Sequence, residues 1–179
     1  MKKKISSVYI GTRLEALLAL DDLTIVSDVI TFKNTHIHKS INSNKFNIII
    51  ADKMSRNELF KLIYNLKSEI IFSSGFKYIL PKKILNSGSI FINSHPSMLP
   101  KYKGSKAILD AFNAKEEYVG CSLHYMNEKV DSGEIIFQDK IDIRRLSLEK
   151  IYESIFSDLE PRVIRKGLKI LFQKIKNNN

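Results

Sequence analysis

The sequence predicts an α/β fold, built on a mostly parallel, twisted sheet with helices on both of its faces. Short β-branched runs alternate with amphipathic stretches, as where the strand-like segment 6–10 precedes the helix-like segment 13–20. The run Ile48–Ile50 is continuous and apolar, which is typical of a buried parallel strand. A chain of 179 residues has the length of one domain, so we expect a single domain.

Strands are predicted where β-branched residues form short runs. These segments are 6–10, 24–32, 46–51, 69–73, 90–94, 119–126 and 134–143. The segment 119–126 alternates, and we place it at one edge of the sheet. A turn at 129–133 joins it to the last strand, whereas the polar, irregular stretch 33–45 is predicted to be a loop.

Helices are predicted between the strands and after the last one. They are expected at 13–20, from Ser55, from Pro81, at 106–114 and over 147–176. Ser55 is a plausible N-cap because Glu58 stands three residues later, as a capping box requires. Ser147 is the N-cap of the last helix, which Pro161 should kink because proline has no N–H to donate.

The composition is that of an ordinary globular protein, with 44% hydrophobic and 27% charged residues. A formal charge of +10 favours anionic partners, but the lysines are spread along the chain. We therefore expect a solvated basic surface and no nucleic acid as a partner. No run of about 18 apolar residues exists, so no membrane-spanning helix is expected.

The sequence is typical of a cytoplasmic protein. The basic start at 1–4 resembles the first region of a signal peptide, but polar residues interrupt the segment that follows. Cys121 is the single cysteine, so no intrachain disulfide can form, and its apolar strand suits an ordinary buried residue.

Polar side chains stand at the end of one predicted strand. Asn93 and His95 are two residues apart, so both side chains lie on one face of that strand. Ligands of open α/β sheets bind at the carboxyl ends of strands, although a strand-end Asn and His can also satisfy neighbouring backbone groups. Asp131 precedes Ser132-Gly133, where an aspartate is commonly a turn former. Spacing alone does not connect Asp131 with His95.

Four motifs occur in order along the chain: N-x-H-P-S-x-L-P from Asn93, K-Y-K-G from Lys101, V-G-C-S-L-H-Y-M from Val119 and V-D-S-G-E-I-I from Val130. Together they resemble the folate-dependent formyltransferase family, clearly over 70–143. The resemblance implies a Rossmann-like, formyltransferase-like fold, with 1–179 as a single catalytic domain and 147–176 as its C-terminal helical segment. It also implies 10-formyltetrahydrofolate as the formyl donor, and no metal.

The resemblance implies that Asn93, His95 and Asp131 are the catalytic residues. A substrate amine would attack the formyl carbon, and the oxyanion that forms needs hydrogen-bond donors aimed at it. The amide of Asn93 and a protonated His95 would supply these donors. Asp131 would favour the imidazolium by its charge and help to relay the proton of the amine.

The resemblance also implies binding residues on either side of this set. Residues expected to line the folate site are Gly75, Phe76, Ile79, Leu80 and Val130, although Leu80 taken singly suits an ordinary core residue. Residues expected on the substrate side are Gly11, Thr12 and Lys103. His124 alternates in a strand and can either face the cleft or pack in the core, and packing is our first choice although it lies in a family-like stretch. His36 and His38 are expected to bind no metal, since no third ligand stands near them.

The acceptor is expected to be a small-molecule amine, and a nucleotide-linked amino sugar is our first choice. The glycinamide ribonucleotide branch of the family carries a Gly- and Ser-rich loop after the first strand, whereas this chain has only Gly11-Thr12 there. That branch stays the alternative, ahead of the tRNA branch, whose members have a further C-terminal domain.

Two rival functions come from other classes of protein: a non-catalytic folate- or nucleotide-binding module and a basic nucleic-acid-binding protein. The pattern of 148–176 allows this helix either to cover the sheet or to form the surface of a homodimer.

Overall fold

The computed structural model describes residues 4–41 and 45–177, in which strands and helices alternate. The first five strands and the helices between them are β1 (Ser6–Gly11), α1 (Leu14–Asp21), β2 (Ile25–Thr31), α2 (His36–Ser40), β3 (Asn47–Ile50), α3 (Arg56–Asn65), β4 (Ile70–Ser74), α4 (Lys82–Leu85) and β5 (Ile90–His95). The later elements are α5 (Ala107–Asn113), β6 (Tyr118–Tyr125), β7 (Ile135–Asp142), α6 (Leu148–Ser154) and α7 (Glu160–Asn177). Residues 1–3 of the basic start and 42–44 of the predicted loop lie outside the described residues.

The strands form one sheet in the order β3-β2-β1-β4-β5-β6-β7, which confirms the predicted α/β architecture. By its internal contacts the chain divides into two compact units, Met1–Asn93 and Ser94–Asn179, so the division falls within β5. The single catalytic domain over 1–179, with 147–176 as a C-terminal helical segment, stays a prediction.

The first unit is parallel, as the alternation of strands and helices predicts. β1 pairs with β2 and with β4, and β2 pairs with β3, all in parallel register. Tyr9 and Ile10 of the central β1 are fully buried. The prediction of a buried strand at Ile48–Ile50 is only half right: these residues form β3, but they are half-buried because β3 is an edge strand.

The second unit contains the antiparallel pair β6 and β7. The prediction that 119–126 is the edge strand is wrong, because β7 returns alongside β6 and occupies the edge itself. α7 packs close to these strands at Gly167, where a Cβ atom would stand 2.5 Å from Cδ2 of Leu123. Glycine at this position therefore permits the close approach of helix to sheet.

Local signals in the sequence predict several helix ends. Ser55 and Glu58 form both hydrogen bonds of the capping box, and the side chain of Ser147 caps α6. Pro161 interrupts the last helix through a π-helical turn at Ile155–Leu159, because residue 161 has no N–H for the regular ladder.

The prediction that 33–45 is a loop is wrong for five of its residues, which form α2. This helix is capped by Thr35 and buries only Ile37, so it is too short to give a periodic apolar pattern. In the described ranges, no helix combines the length and the apolar character that crossing a membrane requires.

Candidate active site

His95 is the last residue of β5, and its imidazole is buried. The Nδ1 atom lies 3.3 Å from Oδ2 of Asp131, and the Nε2 atom lies 2.8 Å from the carbonyl oxygen of Tyr102. The preceding residue, Ser94, donates to the buried carboxylate of Glu160 at the start of α7, which ties this strand end to the helix. The structure thus brings together His95 and Asp131, which the sequence alone could not connect.

Asp131 stands in the connection between β6 and β7 with a φ of +46°. That backbone conformation is uncommon for a non-glycine residue, although aspartate tolerates it better than most. Gly133 closes the same turn, because a Cβ atom there would stand 1.7 Å from the carbonyl oxygen of Tyr125. The turn therefore depends on glycine at 133, and it directs the carboxylate of Asp131 towards His95.

The loop Lys101–Gly104 lies against Asp131. The backbone N–H of Gly104 donates to Oδ2 of Asp131 at 2.8 Å, and Nζ of Lys103 donates to Oγ of Ser132 at 2.7 Å. Tyr102 and Gly104 have positive φ values of 53° and 87°, which turn the chain so that the Tyr102 carbonyl faces His95. The loop thus contacts His95 through a carbonyl and Asp131 through an amide.

Glu116 holds this loop from its other side. Its Oε1 atom accepts from Nζ of Lys101 at 2.9 Å and from the hydroxyl of Tyr102 at 2.8 Å. These two donors lower the pKa of Glu116, and the same contacts raise the pKa of Lys101 and of Tyr102. At neutral pH the ionised carboxylate therefore fastens two successive residues of the loop.

A buried hydrogen-bond network fixes the segment that joins His95 to this loop. The hydroxyl of Ser122 donates to the carbonyl of Ser97 at 2.6 Å and accepts from the N–H of Leu99 at 3.2 Å. Nε2 of Gln138 donates both to the Ser122 hydroxyl at 2.7 Å and to the Leu99 carbonyl at 2.9 Å. Side chains of β6 and β7 thus satisfy the backbone of an irregular segment, as buried polar groups require.

Asn93 is half-buried and stands two residues before His95 in β5. A period of two in a strand directs both side chains to the same face. Both residues lie in β5, and the catalytic role of Asn93 stays a prediction.

In the first unit, the predicted residue Gly11 ends β1 and pairs with Ser74 at the end of β4, and the predicted residue Thr12 follows directly. A Cβ atom at Gly11 would stand 1.9 Å from the carbonyl oxygen of Ser74, so the two strands approach closely there. The N–H of Thr12 donates to the same carbonyl at 3.0 Å, and its hydroxyl donates to the carbonyl of Gly75 at 3.3 Å. Gly75 has a φ of +67°, a conformation that glycine adopts freely.

The residues after Gly75 differ in exposure. Ile79 is 58% exposed and Leu80 is buried, in keeping with the core alternative for Leu80. Phe76 lies in an aromatic cluster, with its ring centroid 5.8 Å from that of Phe32 and 5.7 Å from that of Tyr78.

In the second unit, Val130 is 44% exposed and directly precedes Asp131, while Lys103 is exposed apart from its bond to Ser132. The folate- and substrate-binding roles of the residues in both units stay predictions.

Sequence reasoning preferred packing over a place at the site for His124, and it did not identify the carbonyl of Tyr102 as a partner of His95. His124 is buried, as expected, but its Nε2 atom lies 3.7 Å from Oδ1 of Asp131. The signal for His124 was its position within the family-like motif V-G-C-S-L-H-Y-M. Tyr102 contributes a backbone carbonyl, which leaves no signal in its residue type. In the described part of the chain, no group of three or more His, Cys, Asp or Glu side chains could hold a metal ion.

Comparison with known proteins places this site in a family context. The family model described as "Formyl transferase" matches residues 16–168. The methionyl-tRNA formyltransferase of Lysinibacillus sphaericus (strain C3-41) is 39% identical over 97 residues, which cover 54% of this chain and 31% of that protein. The trifunctional purine biosynthetic protein adenosine-3 of Chironomus tentans is 42% identical over 94 residues, covering 51% of this chain and 6% of that protein. The matched part of the chain thus spans less than a third of the length of these relatives.

Among solved structures, the phosphoribosylglycinamide formyltransferase of Anaplasma phagocytophilum is similar over almost the whole chain. Its TM-score is 0.78 at 26% sequence identity, and the match covers 97% of this chain and 89% of that chain. The family model covers far more than half of the chain. The observed mostly parallel sheet is also the fold that the sequence motifs imply. The chain therefore belongs to the formyl transferase family.

Proposed function

We propose that the protein transfers the formyl group of 10-formyltetrahydrofolate to a primary amine. Family membership supports the reaction type, and the contacts of His95 support the site. The carbonyl of Tyr102 and the ionised carboxylate of Asp131 can only accept hydrogen bonds. A neutral imidazole carries one N–H, so only the imidazolium suits both contacts of His95. This arrangement is the observation that carries the proposal, since the oxyanion of formyl transfer calls for a cationic donor.

In the proposed reaction, the lone pair of the amine forms a bond to the formyl carbon, and the carbonyl oxygen becomes an oxyanion. The amide of Asn93 and an N–H of His95 donate to that oxyanion. Both N–H groups of His95 already meet oxygen atoms, so one contact must be exchanged for the substrate. We assign this exchange to the Tyr102 carbonyl, because Asp131 is needed to balance the imidazolium charge.

The collapse of the oxyanion restores the carbonyl and breaks the bond between the formyl carbon and N10 of the folate. One proton passes overall from the amine to N10. Asp131 is the nearest base to His95 and is the group that we assign to this transfer. The remaining predicted residues, Gly75, Phe76, Ile79, Leu80 and Val130 for the folate and Gly11, Thr12 and Lys103 for the acceptor, keep the binding roles that the resemblance implies.

For the acceptor, we propose a nucleotide-linked amino sugar as the first compound class to test. Glycinamide ribonucleotide enzymes of the family hold the ribose phosphate with backbone N–H groups of the loop after the first strand. Here the N–H of Thr12 donates to Ser74 and the N–H of Arg13 donates to the hydroxyl of Tyr9 at 3.1 Å. Because both N–H groups are engaged within the protein, they are not presented to a phosphate. The names of the relatives supply the two alternatives, glycinamide ribonucleotide and methionyl-tRNA.

The test is formyl transfer from 10-formyltetrahydrofolate, followed by mass spectrometry of the acceptor. The acceptors are nucleotide-linked 3-amino and 4-amino sugars, glycinamide ribonucleotide and methionyl-tRNA, and the control enzyme is His95→Ala. The gain of one formyl group on an amino sugar supports the full proposal. Transfer only to glycinamide ribonucleotide or to methionyl-tRNA keeps the reaction and overturns the acceptor. Folate binding without transfer to any acceptor contradicts the proposal and favours a binding module.

A further inference from the structure

A cavity of about 360 Å³ lies in the second unit, lined by residues from the end of α5 and from the segment after β7. Cavities of this size accept small organic ligands. Ile143 and Leu146 give it apolar walls together with Phe112, which is 37% exposed. None of the residues predicted for the reaction or for binding lines this cavity, so the family motifs do not account for it.

Lys115, in the lining of the cavity, stands where glycine is the usual residue. Its φ is +56°, and its N–H donates to the carbonyl of Phe112 at 3.0 Å. The N–H of Glu116 donates to the carbonyl of Ala111 at 3.1 Å, which completes a Schellman motif at the end of α5. Glycine adopts this backbone conformation freely, whereas a lysine there has a steric cost.

Arg145 lines the same cavity from a second position of this kind. It is the third residue of the turn 143–146, which the N–H of Leu146 closes by donating to the carbonyl of Ile143 at 3.0 Å. Its φ is +69°, and a turn with a positive φ at this place favours glycine or asparagine. Residues held in such conformations cluster at ligand-binding sites, so the two cationic side chains indicate a ligand.

The charges around the cavity leave these two cations available. Among the described residues, the side chains of Lys115 and Arg145 make no hydrogen bond or ion pair. Arg144 also lines the cavity, but its Nε atom donates to Asp142 at 2.9 Å. Asp142 feels the charge of Arg145 as well, although its bonds are with Arg144. Glu117 is the exposed carboxylate of the lining, and it opposes two available cations.

These side chains define the chemistry of the ligand. A guanidinium binds a phosphate through two parallel hydrogen bonds, and an ammonium binds it as a point charge. An aromatic ring with an open face stacks on a nucleobase. We propose that the cavity binds a mononucleotide, with the nucleobase on Phe112 and the phosphate between Lys115 and Arg145.

The wall of the cavity also contacts the candidate active site. Glu116 is in the lining, and its Oε1 atom accepts from the hydroxyl of Tyr102 at 2.8 Å. The carbonyl oxygen of Tyr102 lies 2.8 Å from Nε2 of His95, so one tyrosine connects the two places. The same ligand chemistry therefore has two sources: a free nucleotide that acts as an effector, or the nucleotide half of the acceptor. The second source rests on the proposed function.

The first test measures binding alone and does not depend on formyl transfer. UMP and AMP are titrated into the wild type, Lys115→Gly and Arg145→Asn by calorimetry. We expect each variant to bind at least about tenfold more weakly, because each loses a charge-assisted hydrogen bond. Asn34→Gly is the control, since Asn34 also has a positive φ, of 61°, but lies in the first unit. No saturable binding of either nucleotide up to about 5 mM, or equal binding by all four proteins, would overturn the proposal.

A second test separates a nucleotide site from a simple anion site. Inorganic phosphate and uridine each carry half of the proposed recognition, so both should bind more weakly than UMP. Phe112→Leu keeps an apolar side chain without the ring, and we expect it to bind UMP at least about fivefold more weakly. Phosphate that binds as tightly as UMP would show that the nucleobase contributes nothing and would contradict the assignment.

Thermal unfolding checks the argument from the backbone. Glycine adopts the φ of Lys115 without a steric cost, so Lys115→Gly should have a Tm equal to or above that of the wild type while its nucleotide binding is lost. A clearly lower Tm would mean that Lys115 supports the fold, and the inference of a ligand from its conformation would fail.

The two sources are distinguished with a nucleotide-linked 4-amino sugar as the titrant. If the cavity holds the nucleotide half of the acceptor, Lys115→Gly weakens the binding of this compound by the same factor as that of UMP. If the nucleotide is a free effector, the variant binds the sugar nucleotide as the wild type does and only the binding of UMP is weakened. Both results support the cavity as a nucleotide site. Weakened UMP binding in protein that formylates no acceptor would contradict the proposed function and leave this site in place.

Discussion

Two sets of loops follow strands of this sheet, and they are held in different ways. After β1 and β4, the backbone N–H of Thr12 bonds to the backbone carbonyl of Ser74, and Gly11 permits the close approach. Around His95, the connection is made by a side chain: the carboxylate of Asp131 accepts from the Gly104 amide and contacts the two imidazoles. The first region depends on the absence of a side chain, and the second on an ionised one.

The difference has a consequence for function. A loop closed by its own backbone keeps its shape when the pH changes, which suits a surface that only binds. A loop closed by a carboxylate changes both its shape and its charge when that group is protonated, which suits a site that moves protons. Substitutions in the two regions should therefore affect different quantities: stability in the first, and rate and its pH dependence in the second.

The largest effect is expected for His95→Ala. The variant loses the donor that meets both Asp131 and Tyr102, so the oxyanion would lack a positioned cationic partner. We expect kcat to fall by at least about 100-fold, the scale observed when one such donor is removed. The measurement is formyl transfer by mass spectrometry, with folate binding as a control that should persist. Turnover near the wild-type rate would remove His95 from the reaction.

Asp131→Asn should impair turnover strongly while the loop keeps its place. The amide oxygen of asparagine can still accept from the Gly104 N–H, but the negative charge beside His95 and His124 is gone. We expect kcat to fall by roughly 100-fold, with thermal unfolding close to that of the wild type. Rates measured between pH 5.5 and 9 should also lose part of their pH dependence. A variant with the same pH profile as the wild type would contradict the coupling of Asp131 to the histidines.

Gly11→Ala tests the first region and should act on stability. A Cβ atom at this position would stand 1.9 Å from the backbone oxygen of Ser74, which cannot rotate away. We expect the free energy of unfolding in urea to fall by about 1–3 kcal/mol, as for other overpacked sites. Gly88→Ala is the matched control, because Gly88 also has a positive φ, of 104°, but nothing within 4 Å of the added atom. Equal losses in the two variants would show that backbone conformation, and not the close approach, explains the effect.

The sequence predicts those features that local chemistry determines. The capping box at Ser55 and the cap at Ser147 need only residues three apart, so they could be identified without any knowledge of the fold. The strand at Asn93 and His95 could be predicted from its own residues, and its place at a ligand-binding strand end follows from general rules of α/β sheets. Pairing His95 with Asp131 needed the family resemblance, because 36 residues separate them.

Other features depend on tertiary contacts that no local pattern records. Ile48–Ile50 has the apolar character of a central strand, yet β3 is at an edge, because strand order depends on how the whole chain winds. The carbonyl of Tyr102 and the N–H of Gly104 are backbone groups: every residue type carries the carbonyl, and every type except proline carries the N–H. Their roles beside His95 and Asp131 therefore cannot be identified from the type of residue. His124 lies in a mostly buried strand, so its sequence position is that of a core residue. The turn at Asp131 brings a carboxylate to it through a tertiary contact.

The smallest effect is expected at Glu116, which holds the loop of the second region by a further ionised side chain. Glu116→Gln weakens the bonds to Lys101 and to the Tyr102 hydroxyl, so the Tyr102 carbonyl is less firmly placed against His95. Because the contact is partly open to solvent, we expect kcat to change by less than about fivefold. The neighbouring Glu117→Gln is the control and should leave kcat unchanged.

The pH dependence sharpens this prediction. The folded-state pKa of Glu116 is lowered by Lys101 and Tyr102, so its contribution to stability is present above the ordinary value of 4.5 and is lost as the pH falls through the lowered value. The difference in Tm between wild type and Glu116→Gln should therefore be largest near neutral pH and disappear in acid. A difference that stays constant down to pH 3 would mean that the loop is held by packing instead of charge, as the loops after β1 and β4 are held by their backbone.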